Sequence, residues 1–416
     1  MPCTERTIQD ILKSSDDIIT QYTNAFVQLK ERFEARSRLA TLKVLRDVNQ
    51  GVVQLSNILD DLWDMGNYSS CDGVSSIHAN CSPSVVEQIK TLESLRGPDL
   101  EGIRCNKYTV CLPGTRKALL SVIMKWVTEP DGMRVLWLNG VAGSGKSTVA
   151  NTIASLFTEI GLLGASFRFS QHIEPKYLFQ NLAYQLALFD TCFKECLLRV
   201  FKMHGSMNSY SLWEQLEKFI IEPMNAVPFV GPVLVVVDAM DECGIESKRR
   251  EVLEAITKEF SKLPSFTKVL LISRNEHDIC TKLAMISFQK SIHDTEGITD
   301  DILTYIDDRL HDIIDAHPHL ETTWPGIEGK RNLGICADGL FIWVTVASEY
   351  IKASPDPDGA LNDVLHGQAT NAQQGPETSL DMLYLRILQC MPTLLYLIDM
   401  TKYVVGAILV AKTPLT

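Results

Sequence analysis

The spacing of hydrophobic positions changes twice along this chain. Up to about residue 98, apolar residues recur at steps of three and four, which is the period of a helix that buries one face. From about Tyr108, short apolar runs alternate with helical patterns, and beyond about residue 298 only helical patterns remain. The pattern therefore predicts a helical region, an α/β domain and a second helical domain, in that order.

The first region, residues 1–98, contains a heptad pattern typical of helices that pack side by side. Its clearest part consists of Leu45, Val48, Val52, Leu55, Leu59 and Leu62. Two such helices satisfy each other as an antiparallel hairpin, or they present a face to a partner or a second copy, and both interpretations stay open. The Pro and Gly of RGPDLEG then stop the helical pattern and predict a linker over residues 99–114.

Residues 115–297 are predicted to form the α/β domain. Its apolar runs are RVLWL (134–138), ASFRF (165–169), VLVVV (233–237) and KVLLIS (268–273). Nearly continuous apolar runs separated by helices indicate a parallel sheet covered on both faces. Residues 298–395 are predicted to form the helical domain that follows it.

Composition and charge narrow the class of protein. With 45% hydrophobic and 22% charged residues in 416, the chain is expected to fold rather than stay disordered. Its net charge of −12 and the lack of a basic stripe argue against nucleic acid as a partner. The N-terminus has no apolar signal segment and the eleven cysteines form no paired metal-binding motif, so a reducing cytoplasm is expected. Asp399 and Lys402 interrupt the longest apolar stretch, so no membrane span is expected.

The segment GVAGSGKST fits the phosphate-binding pattern G-x-x-x-x-G-K-[ST], with a predicted strand before it and a predicted helix after it. The residues expected to bind nucleotide are Gly140, Val141, Ala142, Gly143, Ser144, Gly145, Lys146, Ser147 and Thr148. The glycines let consecutive N–H groups point at phosphate oxygens, helped by the N-terminus of the following helix. Lys146 is expected to reach the β- and γ-phosphates, the Ser147 hydroxyl to bind Mg²⁺, and Thr148 to hold the α-phosphate side.

Three carboxylates and one arginine follow predicted strands. Asp238 ends the VLVVV run, where open α/β sheets bind ligands, and with Ser147 it is predicted to hold Mg²⁺. Asp241 or Glu242 is the candidate catalytic residue that orients the attacking water, and a solvated acidic turn is the alternative. Arg274 follows the KVLLIS run and is predicted to sense the γ-phosphate.

These segments resemble a known family. CLPGTRKALLSVIMKW, RVLWLNGVAGSGKSTVANTIA, VLVVVDAMDECG and KVLLISRNE are similar to the NACHT-type P-loop module of STAND regulatory ATPases. The likeness is greatest to the large fungal NOD-like receptors, whose P-loop segment is called nephrocystin-3-like, and it covers about residues 108–410. It implies ATP or ADP as ligand, a KVLLIS strand between the P-loop and VLVVV strands, a helical domain, a winged-helix domain and a repeat sensor.

The chain departs from that family in two places. The final stretch YVVGAILVAKTPLT resembles only the opening of a winged helix, so residues 396–416 are expected to be the start of a truncated winged-helix domain. The histidine of that domain, which helps to close the ADP state in the family, is therefore not expected here. Where related receptors place Gly-x-Pro against the adenine, this chain has Gly339, Leu340 and Phe341.

The site residues and the resemblance together predict a signalling switch that is closed with ADP, oligomeric with ATP and timed by slow hydrolysis. The resemblance also implies fungal innate-immunity or self/non-self signalling, with self-association and protein partners through the N-terminal helices. The alternative is a truncated nucleotide-binding adaptor with no sensor and no turnover. A metabolic kinase is not favoured, because no motif for a second substrate or a lid is present.

Overall fold

The structure is a computed structural model that describes residues 91–92, 95, 110–129, 132–170, 173–227, 231–293, 295–366 and 376–390. Almost all of the predicted N-terminal helical region lies outside the described residues, as do most of the linker 99–114 and all of the predicted winged-helix segment 396–416.

Five strands of the described chain form one parallel sheet with the order β2-β3-β4-β1-β5. The strands are β1 (Val135–Asn139), β2 (Leu163–Arg168), β3 (Val233–Asp238), β4 (Thr267–Ser273) and β5 (Ser287–Ser291). The predicted α/β class with a parallel sheet is confirmed. The strand KVLLIS lies between the P-loop strand and VLVVV, as the resemblance implied.

Alternate residues of the central strands enter two separate hydrophobic cores. On β1, Val135 and Trp137 pack into the core on one face of the sheet, and Leu136 and Leu138 pack into the core on the other. All four side chains are at most 2% exposed. Because successive side chains of a strand point to opposite faces, a strand buried on both faces must be apolar throughout, which explains the continuous runs.

Helices cover both faces of the sheet and then form a separate group after it. Those of the α/β part are α1 (Lys117–Thr128), α2 (Lys146–Glu159), α3 (Tyr177–Phe189), α4 (Thr191–His204), α5 (Leu212–Leu216), α6 (Glu222–Asn225), α7 (Glu246–Glu259) and α8 (His277–Leu283). Those of the helical part are α9 (Ile298–Ala316), α10 (Gly326–Ala337), α11 (Phe341–Ala353), α12 (Pro357–His366) and α13 (Pro376–Cys390). None of the helices within the described ranges is long and apolar enough to cross a membrane.

The helical part has a hydrophobic core of its own and also contacts the sheet domain. Its core includes Ile306, Leu310 and Trp343, and Val141 of the P-loop packs against the same cluster. The backbone N–H of Ile342 donates to the Gly143 carbonyl over 3.2 Å. The start of α11 is therefore joined directly to the P-loop, while the predicted domain boundaries stay predictions.

Strand β5 is the one strand of the described sheet that the hydrophobic pattern did not predict. Its sequence, SFQKS, has a single large apolar residue, and Phe288 is 42% exposed. The strand lies at a sheet edge and pairs only with β1. An edge strand of this kind is held by backbone hydrogen bonds and needs no apolar run, so hydrophobicity gives little sign of it.

At the opposite edge of the sheet, a side chain pairs with the backbone of β2. Gln185 of α3 accepts from the Ser166 N–H over 3.0 Å through Oε1 and donates to the Ser166 carbonyl over 2.8 Å through Nε2. Both groups of Ser166 are thus paired as they would be by another strand. Unpaired edge groups are a template for association with other chains, so Gln185 also blocks that edge.

We expect Gln185→Ala to lower the free energy of unfolding by about 1–3 kcal/mol, because it leaves two buried backbone groups unpaired. Gln289→Ala makes the same change at an exposed position of the other edge strand and is expected to shift stability by less than about 0.5 kcal/mol. Urea unfolding of the two variants measures the difference. Equal effects would show that the pairing at Ser166 contributes nothing specific.

Candidate functional site

The P-loop lies between the end of β1 at Asn139 and the start of α2 at Lys146. Gly143 and Gly145 have φ of +74° and +87°, the left-handed region that residues with a Cβ rarely adopt. A Cβ on Gly143 would lie 2.0 Å from Cγ2 of Ile342. Glycine is therefore required at position 143 both by backbone conformation and by the close approach of the helical part.

The side chain of Lys146 bends back over the preceding residues of the P-loop and hydrogen-bonds to their carbonyl groups. Its Nζ donates to the carbonyl of Gly140 over 2.8 Å and to that of Val141 over 2.7 Å. Burial lowers the pKa of the Lys146 ammonium, and the nearby Asp241 carboxylate opposes that shift. The Lys146 ammonium thus hydrogen-bonds to two neutral carbonyl groups. A negatively charged group can replace them, because charged acceptors form stronger hydrogen bonds.

Asp238 ends β3 as a buried carboxylate with one oxygen satisfied and one not. The Ala239 N–H donates to Oδ1 over 2.8 Å, while Oδ2 is buried and has no hydrogen-bond partner in the described structure. Burial raises the pKa of the Asp238 carboxyl group, and the nearby Ser147 hydroxyl and Arg168 charge lower it in part. A carboxylate and a hydroxyl side by side are the oxygen ligands that Mg²⁺ takes beside a phosphate, so the residues present fit this ion.

Asp241 is engaged by Arg274 on both of its carboxylate oxygens. Nε of Arg274 lies 3.1 Å from Oδ2, and the Arg274 backbone N–H donates to Oδ1 over 3.0 Å. The Asp241 carbonyl also accepts from Arg249, which forms a two-bond ion pair with Asp278. Asp241 therefore anchors the segment after β4, and Arg274 contacts both of its carboxylate oxygens.

Glu242, the next residue, has no ion-pair or hydrogen-bond partner for its carboxylate in the described part of the chain. Burial and the neighbouring Asp241 carboxylate raise the pKa of Glu242, and the charges of Arg168 and Arg274 lower it in part. A carboxylate with a raised pKa and no partner suits general-base chemistry better than one held in an ion pair. The two neighbouring carboxylates thus differ in their surroundings, because Arg274 contacts that of Asp241 and not that of Glu242.

These residues line a cavity of about 490 Å³ between the sheet domain and the helical part. Its polar end contains Lys146, Ser147, Thr148, Asp238, Asp241, Glu242 and Arg274, together with Ala142, Gly143 and Gly145 of the loop. Its mostly apolar part contains Val110, Cys111, Leu112, Tyr305, Phe341, Ile342 and Thr345, and Ile342 and Phe341 lie beside Gly143 and Gly145 of the loop. The volume is that of a small-molecule site, with a charged end and a mostly apolar end.

Two aromatic residues of the helical part form the apolar end. The rings of Tyr305 and Phe341 lie 5.3 Å apart, and the Tyr305 hydroxyl lies 3.0 Å from Oγ1 of Thr345. Phe341 follows Gly339, which has φ of +80°, and Leu340, which is fully buried. The Gly-Leu-Phe segment therefore places an aromatic side chain in the lining of the cavity.

Comparison with known proteins finds a family match over part of the chain. Residues 114–274 match the family model for the N-terminal region of nephrocystin 3. The chain contains a P-loop NTPase-like domain. No curated protein sequence matches it.

Solved structures resemble the chain only distantly. PCH-2 of C. elegans has a TM-score of 0.37 at 12% identity, with 72% of each chain covered. Drosophila ORC bound to AT-rich DNA and Cdc6 has a TM-score of 0.29 at 11% identity, covering 83% of this chain and 53% of that chain. We draw no functional conclusion from likeness at this level.

Arg116 links the NTPase domain to the helical part and was not among the predicted site residues. Its side chain is 2% exposed and donates to the carbonyls of Ser144 over 2.7 Å and of Ile292 over 3.2 Å. The guanidinium also lies 4.8 Å from the centre of the Phe341 ring. Arg116 thus holds the P-loop, the chain after β5 and the apolar end of the cavity in one arrangement.

Two further residues near the cavity were also missed, for different reasons. Arg168 lies in an apolar run, and its neighbour Asp238 is distant in sequence, so only strand pairing brings them together. Tyr305 sits on a helix where an aromatic residue is usually part of the core. Arg116 had a usable signal, since it belongs to the CLPGTR segment that carries the family resemblance.

We expect Gly143→Ala to lower the melting temperature far more than Gly297→Ala. Both glycines have positive φ, but a Cβ at position 297 meets nothing within 4 Å. Strain from the left-handed backbone is shared and costs about 1–2 kcal/mol, whereas the collision with Ile342 adds about 1–3 kcal/mol at position 143 only. Thermal melting of both variants measures this, and equal shifts would contradict the packing of α11 on the P-loop.

Proposed function

We propose that this protein is a nucleotide-dependent signalling switch that binds ATP with Mg²⁺ and hydrolyses it slowly. The observation that supports this best is the single cavity that the P-loop and the helical part line together. A ligand in such a cleft contacts both parts, so its presence changes the free energy of closing one part on the other. A site lined by the sheet domain alone would bind nucleotide without that coupling.

The phosphates are proposed to occupy the polar end. Lys146 exchanges the carbonyls of Gly140 and Val141 for β- and γ-phosphate oxygens, which are stronger partners because they are charged. Ser147 and Asp238 hold Mg²⁺, and Thr148 holds the α-phosphate side. When bound, the metal neutralises phosphate charge.

Discrimination between ATP and ADP is proposed to come from Arg274. Its guanidinium pairs with Asp241, and its side chain is 51% exposed beside the cavity. A γ-phosphate competes for this guanidinium, whereas the diphosphate lacks the competing group. Because a ligand shifts a conformational equilibrium only by its differential affinity, this competition supplies the difference that a switch requires.

The nucleoside is proposed to lie at the apolar end, with the base near Tyr305 and Phe341. The family resemblance favours adenine as the base. It also supports a role in fungal innate-immunity or self/non-self signalling in the cytoplasm, with protein partners and self-association through the N-terminal region.

We expect Lys146→Ala and Asp238→Ala to abolish retention of ATP or ADP by the purified protein. The first removes the central cation of the P-loop and the second removes the metal-binding carboxylate. Lys125→Ala, at an exposed position on α1, is the control and should retain nucleotide as the wild type does. Chromatography of nucleotide released from the denatured proteins measures retention. If both site variants kept their nucleotide, the assignment of this site would be wrong.

Glu242→Gln should bind Mg²⁺–ATP normally and lose hydrolysis by about 10²–10⁴-fold, because the general base is removed while the phosphate-binding groups stay. Asp241→Asn should instead strengthen the preference for ATP over ADP, because Arg274 no longer has to leave an ion pair to reach the γ-phosphate. Single-turnover hydrolysis and binding of the two nucleotides separate these effects. Loss of hydrolysis in Asp241→Asn with full activity in Glu242→Gln would reverse the roles.

The adaptor alternative is tested by assembly. A switch should change its oligomeric size when a non-hydrolysable ATP analogue replaces ADP, as measured by light scattering of the full chain. Arg274→Ala should reduce that change, because the γ-phosphate is then not sensed. A protein that binds nucleotide, hydrolyses none and keeps one size with both ligands would be an adaptor.

A further inference from the structure

A second arginine, Arg168, stands beside the carboxylate assigned to Mg²⁺. It is the last residue of β2 and pairs with Asp238 in the register of β2 and β3. Its Nε lies 3.8 Å from Oδ2 of Asp238, and its side chain is 40% exposed while that of Asp238 is 1% exposed. The buried carboxylate therefore has a cation reaching it from the solvent side.

This ion pair is close enough to compensate charge but too long to be a hydrogen bond. Oδ2 of Asp238 has no hydrogen-bond partner in the described structure, so Arg168 is its ionic partner without saturating it. A buried carboxylate is costly unless a positive charge lies near it. A half-exposed arginine supplies that charge, and it can leave without a large loss when another cation takes its place beside the buried carboxylate.

A second carboxylate near β3, that of Glu242, is available to the Arg168 side chain. In the sheet order, β3 lies between β2, which carries Arg168, and β4, which leads to Arg274. Arg274 is held by two contacts to Asp241, whereas the Glu242 carboxylate has no ion-pair partner in the described residues. The charge of Arg168 also reaches Glu242, since it lowers the pKa of that group. Arg168 therefore has an acidic neighbour to which it can turn.

We propose that Arg168 is a positioning residue that compensates Asp238 until Mg²⁺ binds and is then displaced by the ion. The two cations compete for one carboxylate, so Arg168 sets the Mg²⁺ concentration at which the site is loaded. This inference rests on the proposed function, because it assumes that Asp238 and Ser147 hold the ion beside a nucleotide. It adds a residue and a regulatory property that the P-loop pattern does not contain.

The test is a Mg²⁺ titration of ATP binding by the full chain, followed with a fluorescent ATP analogue. Arg168→Gln removes a competing positive charge, so we expect the Mg²⁺ midpoint to fall by about three- to tenfold. Arg168→Lys keeps the charge and is expected to stay within about twofold of the wild type. Arg250→Gln removes an arginine whose ion pair with Glu246 is exposed and distant from the site, and it should leave the midpoint unchanged.

The same substitution of Arg168 in a variant without the Asp238 carboxylate tests whether the shift in Mg²⁺ midpoint depends on Asp238. In Asp238→Asn, the Mg²⁺ dependence of ATP binding should be lost whether residue 168 is Arg or Gln, since the shared carboxylate is gone. An unchanged or higher midpoint in Arg168→Gln alone would overturn the proposal. Weaker ATP binding with unchanged ADP binding would also overturn it, because Arg168 would then be a γ-phosphate ligand. If the wild type showed no Mg²⁺-dependent binding at any concentration, the proposed function itself would fail, which differs from normal binding with an unshifted midpoint.

Discussion

The parallel pairing of β1, β3 and β4 is the constraint on which the candidate site depends. In a parallel sheet, the C-terminal ends of all strands meet at one edge, and here that edge gathers the P-loop, Asp238 and Arg274, which are spread over residues 140–274 of the chain. The central strands β1, β3 and β4 are buried on both faces, so their runs are apolar almost to the last residue. The first polar residue that follows such a run is therefore carried to the site by the same burial that stabilises the sheet.

A second level of organisation comes from the helical part, which closes the site from outside the sheet. Ile342 approaches so near to Gly143 that only glycine fits, and Arg116 fastens the P-loop carbonyl of Ser144 to the ring of Phe341. The loop that would bind phosphate is thus packed against the element that would bind the base. Such packing makes the two parts respond to one ligand, since close-packed surfaces shift as units rather than deform gradually.

At the C-terminal edge of the sheet, acidic residues lie between two arginines. Acidic residues after β3 lie between Arg168 of the strand on one side and Arg274 beyond the strand on the other. Burial makes each uncompensated carboxylate unfavourable, so the arginines stabilise the acidic edge. A metal ion would compete for Asp238, and a γ-phosphate would compete for Arg274. Binding of these ligands would therefore change the charge compensation that stabilises the site.

The sequence by itself determined the parallel α/β class, the P-loop and the acidic strand end, because each depends on residues that are close together in the chain and on a continuous apolar run. Tertiary structure decided the rest. Strand β5 was missed because backbone pairing at a sheet edge needs no hydrophobic pattern. Asp241 and Glu242 are adjacent in the chain, and only tertiary structure shows that Arg274, 33 residues from Asp241, is bonded to Asp241 alone of the two. Arg116 and Arg168 act through contacts with partners 28 and 70 residues distant, and no local pattern encodes which buried group a charged side chain will meet.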